Sequence, residues 1–177
     1  MPTAYAAGQL IMLLALLIPV ILFFRTQQNV LSTIWPENRQ MHPGLVWLQL
    51  IPIFNYFWVF IVVRRIADSL SKQYAVFQSD SILGIADEEA IKAIGKRPTY
   101  SIGLAYCLLP LALPLAVIFF NLFNDPRLVS GQSSEIPSAY AALGFFLVAL
   151  VIAAFVCWIV YWVQLVACKK KLRRFTE

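Results

Sequence analysis

The chain has 177 residues, 60% of them hydrophobic and 13% charged, with a formal net charge of +5. Soluble domains are roughly 45–50% apolar and about 25% charged, so this composition excludes a water-soluble domain and describes a one-domain integral membrane protein. The positive balance is no sign of a nucleic-acid partner, because the basic residues flank the ends of hydrophobic runs, where they set orientation in a bilayer.

A hydrocarbon core about 30 Å thick takes about 20 apolar residues of helix. Four segments meet that requirement, about 5–24, 44–63, 100–123 and 139–167, and none holds a charged residue. The first closes on Arg25. It has neither a basic leading region nor a small-x-small cleavage site, so it is expected to stay as a helix rather than be removed as a signal peptide. Residues 26–43 then read as a short polar loop, with Trp35 placed to anchor at the interface.

The second segment opens on His42-Pro43-Gly44. A histidine there suits the turn that starts a helix. A metal site would need further ligands, and the carboxylates expected on that side are Glu37, Asp125 and Glu135. Inside the segment stand Gln49, Pro52 and Asn55. An amide near mid-bilayer must find a partner, because lipid offers none. Pro52 has no N–H, so in a continuous helix the Leu48 carbonyl loses its donor and the helix kinks. Gln49 and Asn55, with Asn121 and Gln164 on later segments, are expected as interhelical polar contacts.

Arg64 and Arg65 stop the second segment. Beyond them Ile66, Leu70, Tyr74 and Phe77 recur at helical spacing, which predicts that the helix extends past the membrane with one apolar face. Asp68 and Lys72, four apart, lie on its polar side. A short helix is predicted over "ADEEAIKAIG", capped by Asp87 and ended by Gly95. The third segment carries Pro110 and Pro114 on one face and is expected to kink. Residues 124–138 read as a second short loop. The fourth ends in "CWIVYWVQLVACKKK", where Trp158 and Trp162 are one turn apart and Lys169 and Lys170 follow, the pattern of interface anchors shared with Arg64 and Arg65. Cys107, Cys157 and Cys168 are odd in number and lack metal or disulfide spacing, so they read as packing residues.

Four crossings place the N-terminus, the 64–99 loop and the C-terminal tail on one side, with eleven basic residues against three. The positive-inside rule makes that side cytoplasmic. The expectation is an all-α bundle of four transmembrane helices, both termini cytoplasmic, with a cytoplasmic helical extension after the second span.

No Asp, Glu, Lys, Arg or His lies within a span, which argues against proton-coupled transport. No P-loop, zinc-protease or serine-hydrolase motif occurs, so no catalytic residue, cofactor or metal is expected.

The stretches "MHPGLVWLQLIPIFNYFWVFIVVRRIADSL", "GLAYCLLPL" and "FVCWIVYWVQL" resemble a family of small uncharacterised bacterial multi-pass membrane proteins. These share a PGxVWLxxIPxFNxxWxF span and a late CWxxYWVxI span, from which this chain departs at Leu165. The resemblance implies a bacterial plasma-membrane location and carries over no functional residue. The first functional expectation is a non-enzymatic structural or accessory subunit, partnered by the bilayer and by a second copy or another membrane protein. The alternative is a small transporter or channel-like protein with a polar pathway near Asn55.

Overall fold

The computed structural model describes the backbone of residues 2–81, 97–123 and 138–176, and the side chains of 17–77, 97–111, 114 and 144–174. Every described element is helical: α1 (Pro2–Thr33), a 3-10 segment (Pro43–Leu50), α2 (Pro52–Ser81), α3 (Tyr100–Phe123) and α4 (Ser138–Thr176). The all-α class expected from the sequence therefore holds for the described residues. Among them one helical stretch, Gly144–Arg174, is long and apolar enough by length and composition to cross a membrane. The short helix expected over 86–95 and the loop over 124–137 lie outside the described residues.

The chain divides into two compact units, one of residues 1–98 with 162–177 and one of residues 99–161. In the first, α1 buries Phe23, Gln27, Val30 and Leu31, a stripe with the i, i+4, i+7, i+8 period of a helix face, and Ile34, just past its end, is buried as well. α2 answers with Val59, Val62, Val63, Ile66, Leu70, Tyr74 and Phe77, and the end of α4 adds Leu165, Cys168 and Leu172. The four residues expected to line the apolar face of the 64–77 extension are all buried there. On the opposite face Asp68 pairs with Arg64 at 3.8 Å and with Arg97 at 3.2 Å.

The second apolar segment is not one helix. Residues 43–50 wind as a 3-10 helix, Ile51 is extended (φ −80°, ψ 110°), and α2 starts at Pro52. Pro52 is thus no kink within a helix, contrary to expectation. Its fixed φ and missing N–H suit the first helical position, and its ring disfavours helical backbone at the residue before it. The Leu48 carbonyl is not left open either. It accepts from the Ile51 N–H at 3.2 Å, and the Ile51 carbonyl accepts from the Asn55 N–H at 2.8 Å.

In the second unit, α3 begins after Thr99, whose φ of 68° puts a β-branched residue in the left-handed region. Its carbonyl accepts the Gly103 N–H at 2.9 Å. Pro110 and Pro114 lie inside α3, which stays one continuous helix through both. Tyr106 stacks on Tyr161 at 5.7 Å.

Leu70→Ala is expected to cost about 2–5 kcal/mol, since Leu70 is fully buried in the first unit. Ile53→Ala, at an exposed position, is expected to change stability by less than about 0.5 kcal/mol. Denaturant unfolding in detergent micelles compares the two.

Candidate functional site

The polar side chains of the first unit gather where α1, the 3-10 segment, the 34–42 loop and α2 meet. At its apolar end, Gln49 Nε2 donates to Gln27 Oε1 at 2.7 Å and to the Val46 carbonyl at 3.1 Å. Both glutamines are buried, at 0% and 3% exposure for Gln27 and Gln49. Gln27 Nε2 and Gln49 Oε1 have no partner, so each amide is half satisfied. Beside it, Trp47 Nε1 donates to Gln28 Oε1 at 2.9 Å, and the Trp47 ring meets Phe24 edge-on. Trp58 Nε1 donates to the Leu45 carbonyl at 2.9 Å, tying the 3-10 segment to α2.

At the other end the loop is clasped to α2. Gln73 Oε1 accepts from the Trp35 backbone N–H at 3.0 Å and from Asn38 Nδ2 at 3.1 Å. The Trp35 ring sits edge-on to Phe77. Ser69 Oγ accepts the Gln40 N–H at 2.9 Å and donates to the Arg65 carbonyl at 2.6 Å. Arg65 donates to the Gln40 carbonyl at 3.4 Å. Arg39 turns back to the Ile34 and Ser32 carbonyls at the end of α1, where a helix leaves unpaired acceptors.

Of the residues expected to make interhelical polar contacts, Gln49 does so, through Gln27. Asn55 Oδ1 and Gln164 Oε1 are buried and have no partner. The side chain of Asn121 lies outside the described residues. Trp162, expected as an interface anchor, instead packs inward: its Nε1 donates to Thr26 Oγ1 at 3.0 Å and its ring meets Phe23 edge-on. Trp158 lies against Phe155. Arg64, Arg65 and Lys170 are exposed and Lys169 is half-buried. His42 Nδ1 accepts the Gly44 N–H at 3.2 Å, which accounts for it as the cap of the 3-10 segment. Among the described residues no group of three or more His, Cys, Asp or Glu could hold a metal.

Sequence reasoning missed Gln27, Gln28 and Gln73. The first two fall in the stretch that reads as a loop from its polarity, but α1 continues to Thr33. Gln73 falls one residue from Tyr74, on the same buried face. Tyr74 donates to the Cys168 carbonyl at 3.4 Å, and burial, with the Cys168 thiol second, pushes its phenol above the ordinary tyrosine range.

No family model matches the chain, and no curated protein or solved structure does.

Gln27→Leu or Gln49→Leu alone leaves the partner amide buried without its hydrogen bond and is expected to cost about 1–3 kcal/mol. The double variant should cost less than the sum, which a double-mutant cycle on unfolding free energy measures. For Tyr74 the raised folded-state pKa means its contribution is intact below the ordinary value of about 10 and is lost as pH rises beyond it. Tyr74→Phe should flatten that alkaline loss in unfolding midpoints taken between pH 8 and pH 11.

Proposed function

We propose that this chain is a multi-pass protein of the bacterial plasma membrane and serves as a non-enzymatic structural or accessory subunit of a membrane assembly. The observation that carries this reading is the outward face of α4. Phe145 is 78% exposed, and Phe146, Val148, Ile152, Phe155 and Val163 are exposed with it on a helix long enough to cross a bilayer. An apolar surface of that extent is stable only against lipid or another protein. Among the described residues, by contrast, Gln49 bonds to Gln27, Trp47 to Gln28 and Asn38 to Gln73. The resemblance to small bacterial membrane proteins supports the plasma membrane as the location. No nucleic-acid partner is part of this reading.

α1, α3 and α4 are taken as crossings, which leaves the 43–63 segment as the element that distinguishes the four-span reading from its alternative. A transporter or channel-like role stays the second reading, because Asn55 Oδ1 and Gln164 Oε1 are buried acceptors without a hydrogen-bond partner in the protein.

Photo-crosslinking side chains at Phe145 and Ile152 in native membranes should trap one defined protein, a second copy or a distinct subunit, in stoichiometric yield. Adducts to lipid alone would overturn the subunit reading. Cysteines at Gln49 and Asn55 should resist a soluble thiol reagent in native membranes, and ready reaction at both would favour the polar pathway.

A further inference from the structure

We propose that residues 43–63 do not cross the membrane but form a re-entrant hairpin. It dips into the hydrocarbon of the cytoplasmic leaflet and returns, so that the 34–42 loop is cytoplasmic and the N-terminus lies outside. The proposal rests on the membrane reading above.

The two ends of the segment lie together. A crossing at 44–63 would put the 34–42 loop and the start of the 64–99 connection on opposite faces of the bilayer. Yet Gln40 bonds to Ser69 and Arg65, and Gln73 bonds to Trp35 and Asn38. Further in, Leu45 is tied to Trp58. The pairs close in on Ile51 from both sides, the pattern of two antiparallel arms joined at that residue.

Helix direction gives the same result independently. Thr26 of α1 meets Trp162 of α4; further along, Trp35 meets Gln73, and the neighbouring Tyr74 meets Cys168. All these contacts lie within the first unit. α1 and the end of α4 therefore run in one direction, and α2 runs with them, since Trp58 reaches Leu45 of the arm held at Gln27 and Gln28 while Gln73 reaches Trp35. Each passes in that direction from apolar to charged, at Phe24-Arg25, Val63-Arg64 and Cys168-Lys169.

The arms are also too short to cross. The 3-10 arm of eight residues rises about 16 Å at about 2.0 Å each. The α2 arm over 52–63 rises about 18 Å at 1.5 Å each. Both reach only about halfway through a core of about 30 Å. The tip is dressed for hydrocarbon: Ile53 is 82% and Phe57 75% exposed, and Leu50 and Ile51 are half exposed. Its backbone break is tolerable there. Pro52 has no N–H to satisfy, and the Ile51 N–H and carbonyl are both bonded locally.

Charge agrees. With three crossings, the 25–43 loop, the 64–99 connection and the C-terminal tail share a side. Thirteen of the fourteen Lys and Arg then fall on it, leaving Arg127 alone opposite. That is a stronger positive-inside bias than four crossings produce.

The test uses the full-length chain in cell membranes, with single cysteines at the exposed positions Glu37 and Lys170 and a membrane-impermeant maleimide. Glu37→Cys and Lys170→Cys should both label only after permeabilisation. Labelling of Glu37→Cys in intact spheroplasts, with Lys170→Cys protected, would overturn the hairpin and restore a crossing. Labelling of both in intact spheroplasts would overturn the cytoplasmic assignment. A nitroxide at Ile53→Cys should be relaxed by oxygen rather than by a soluble nickel chelate. The reverse preference would overturn lipid as the occupant of the tip. Release of the wild-type chain by alkaline carbonate would overturn the membrane reading itself, which separates its failure from that of the hairpin.

Discussion

Gln73 reaches from α2 to the backbone of Trp35 and the amide of Asn38, while Ser69 and Arg65 hold Gln40 a turn and more earlier. Everything else in the first unit follows from this clasp. With the loop after α1 fixed against the middle of α2, the chain between them must travel away from the clasp and come back. The outgoing arm has only residues 43–50 to do it, and Ile51-Pro52 supplies the reversal. α1 and α2 are left parallel, and each presents the face that the other can cover. Ile66 and Leu70 are fully buried in the same unit as Leu31 and Ile34.

The buried Gln27–Gln49 pair adds what apolar packing cannot. Side chains such as Val46, Val62 and Leu31 exclude solvent well in several neighbouring registers, whereas a carboxamide in a low-dielectric interior has few acceptable positions. A shift of the 3-10 arm along α1 by one residue would separate Gln49 from Gln27 and Trp47 from Gln28 together. The amides thus select one register among many that are similarly apolar. The half-satisfied groups at Gln27 Nε2 and Gln49 Oε1 are the cost of that choice.

Much of this is legible in the sequence. Composition and the spacing of Ile66, Leu70, Tyr74 and Phe77 sufficed for an all-helical chain with a long α2, and His42-Pro43-Gly44 read as an opening turn. The hairpin was not legible, because hydropathy counts apolar residues without giving their direction. Twenty of them suit one crossing or two half-depth arms equally well. The available signal was Ile51-Pro52: proline disfavours helical backbone just before it and is at home at a helix start, so this dipeptide reads as a break as readily as a kink. The Thr26 partner of Trp162 is hidden for a related reason. A tryptophan near lysines suits an interface, and only the neighbouring Thr26 shows that its N–H points inward. Gln27 and Gln28 were lost to a loop because polarity after Arg25 looks like the end of a helix, although α1 runs on to Thr33.

The depth of the 43–63 arms has a mechanical side. A helix that traverses the bilayer displaces lipid equally from both monolayers. In the re-entrant arrangement we propose, two arms that stop near the midplane, with the exposed Ile53 and Phe57 at their tip, add cross-section to one monolayer only. The facing monolayer keeps its full complement of chains, so the two differ in lateral pressure beside each copy. The sheet relieves that difference by bowing towards the more crowded side. Many copies gathered together would therefore impose a shape on the membrane that holds them, with no moving part and no bound ligand.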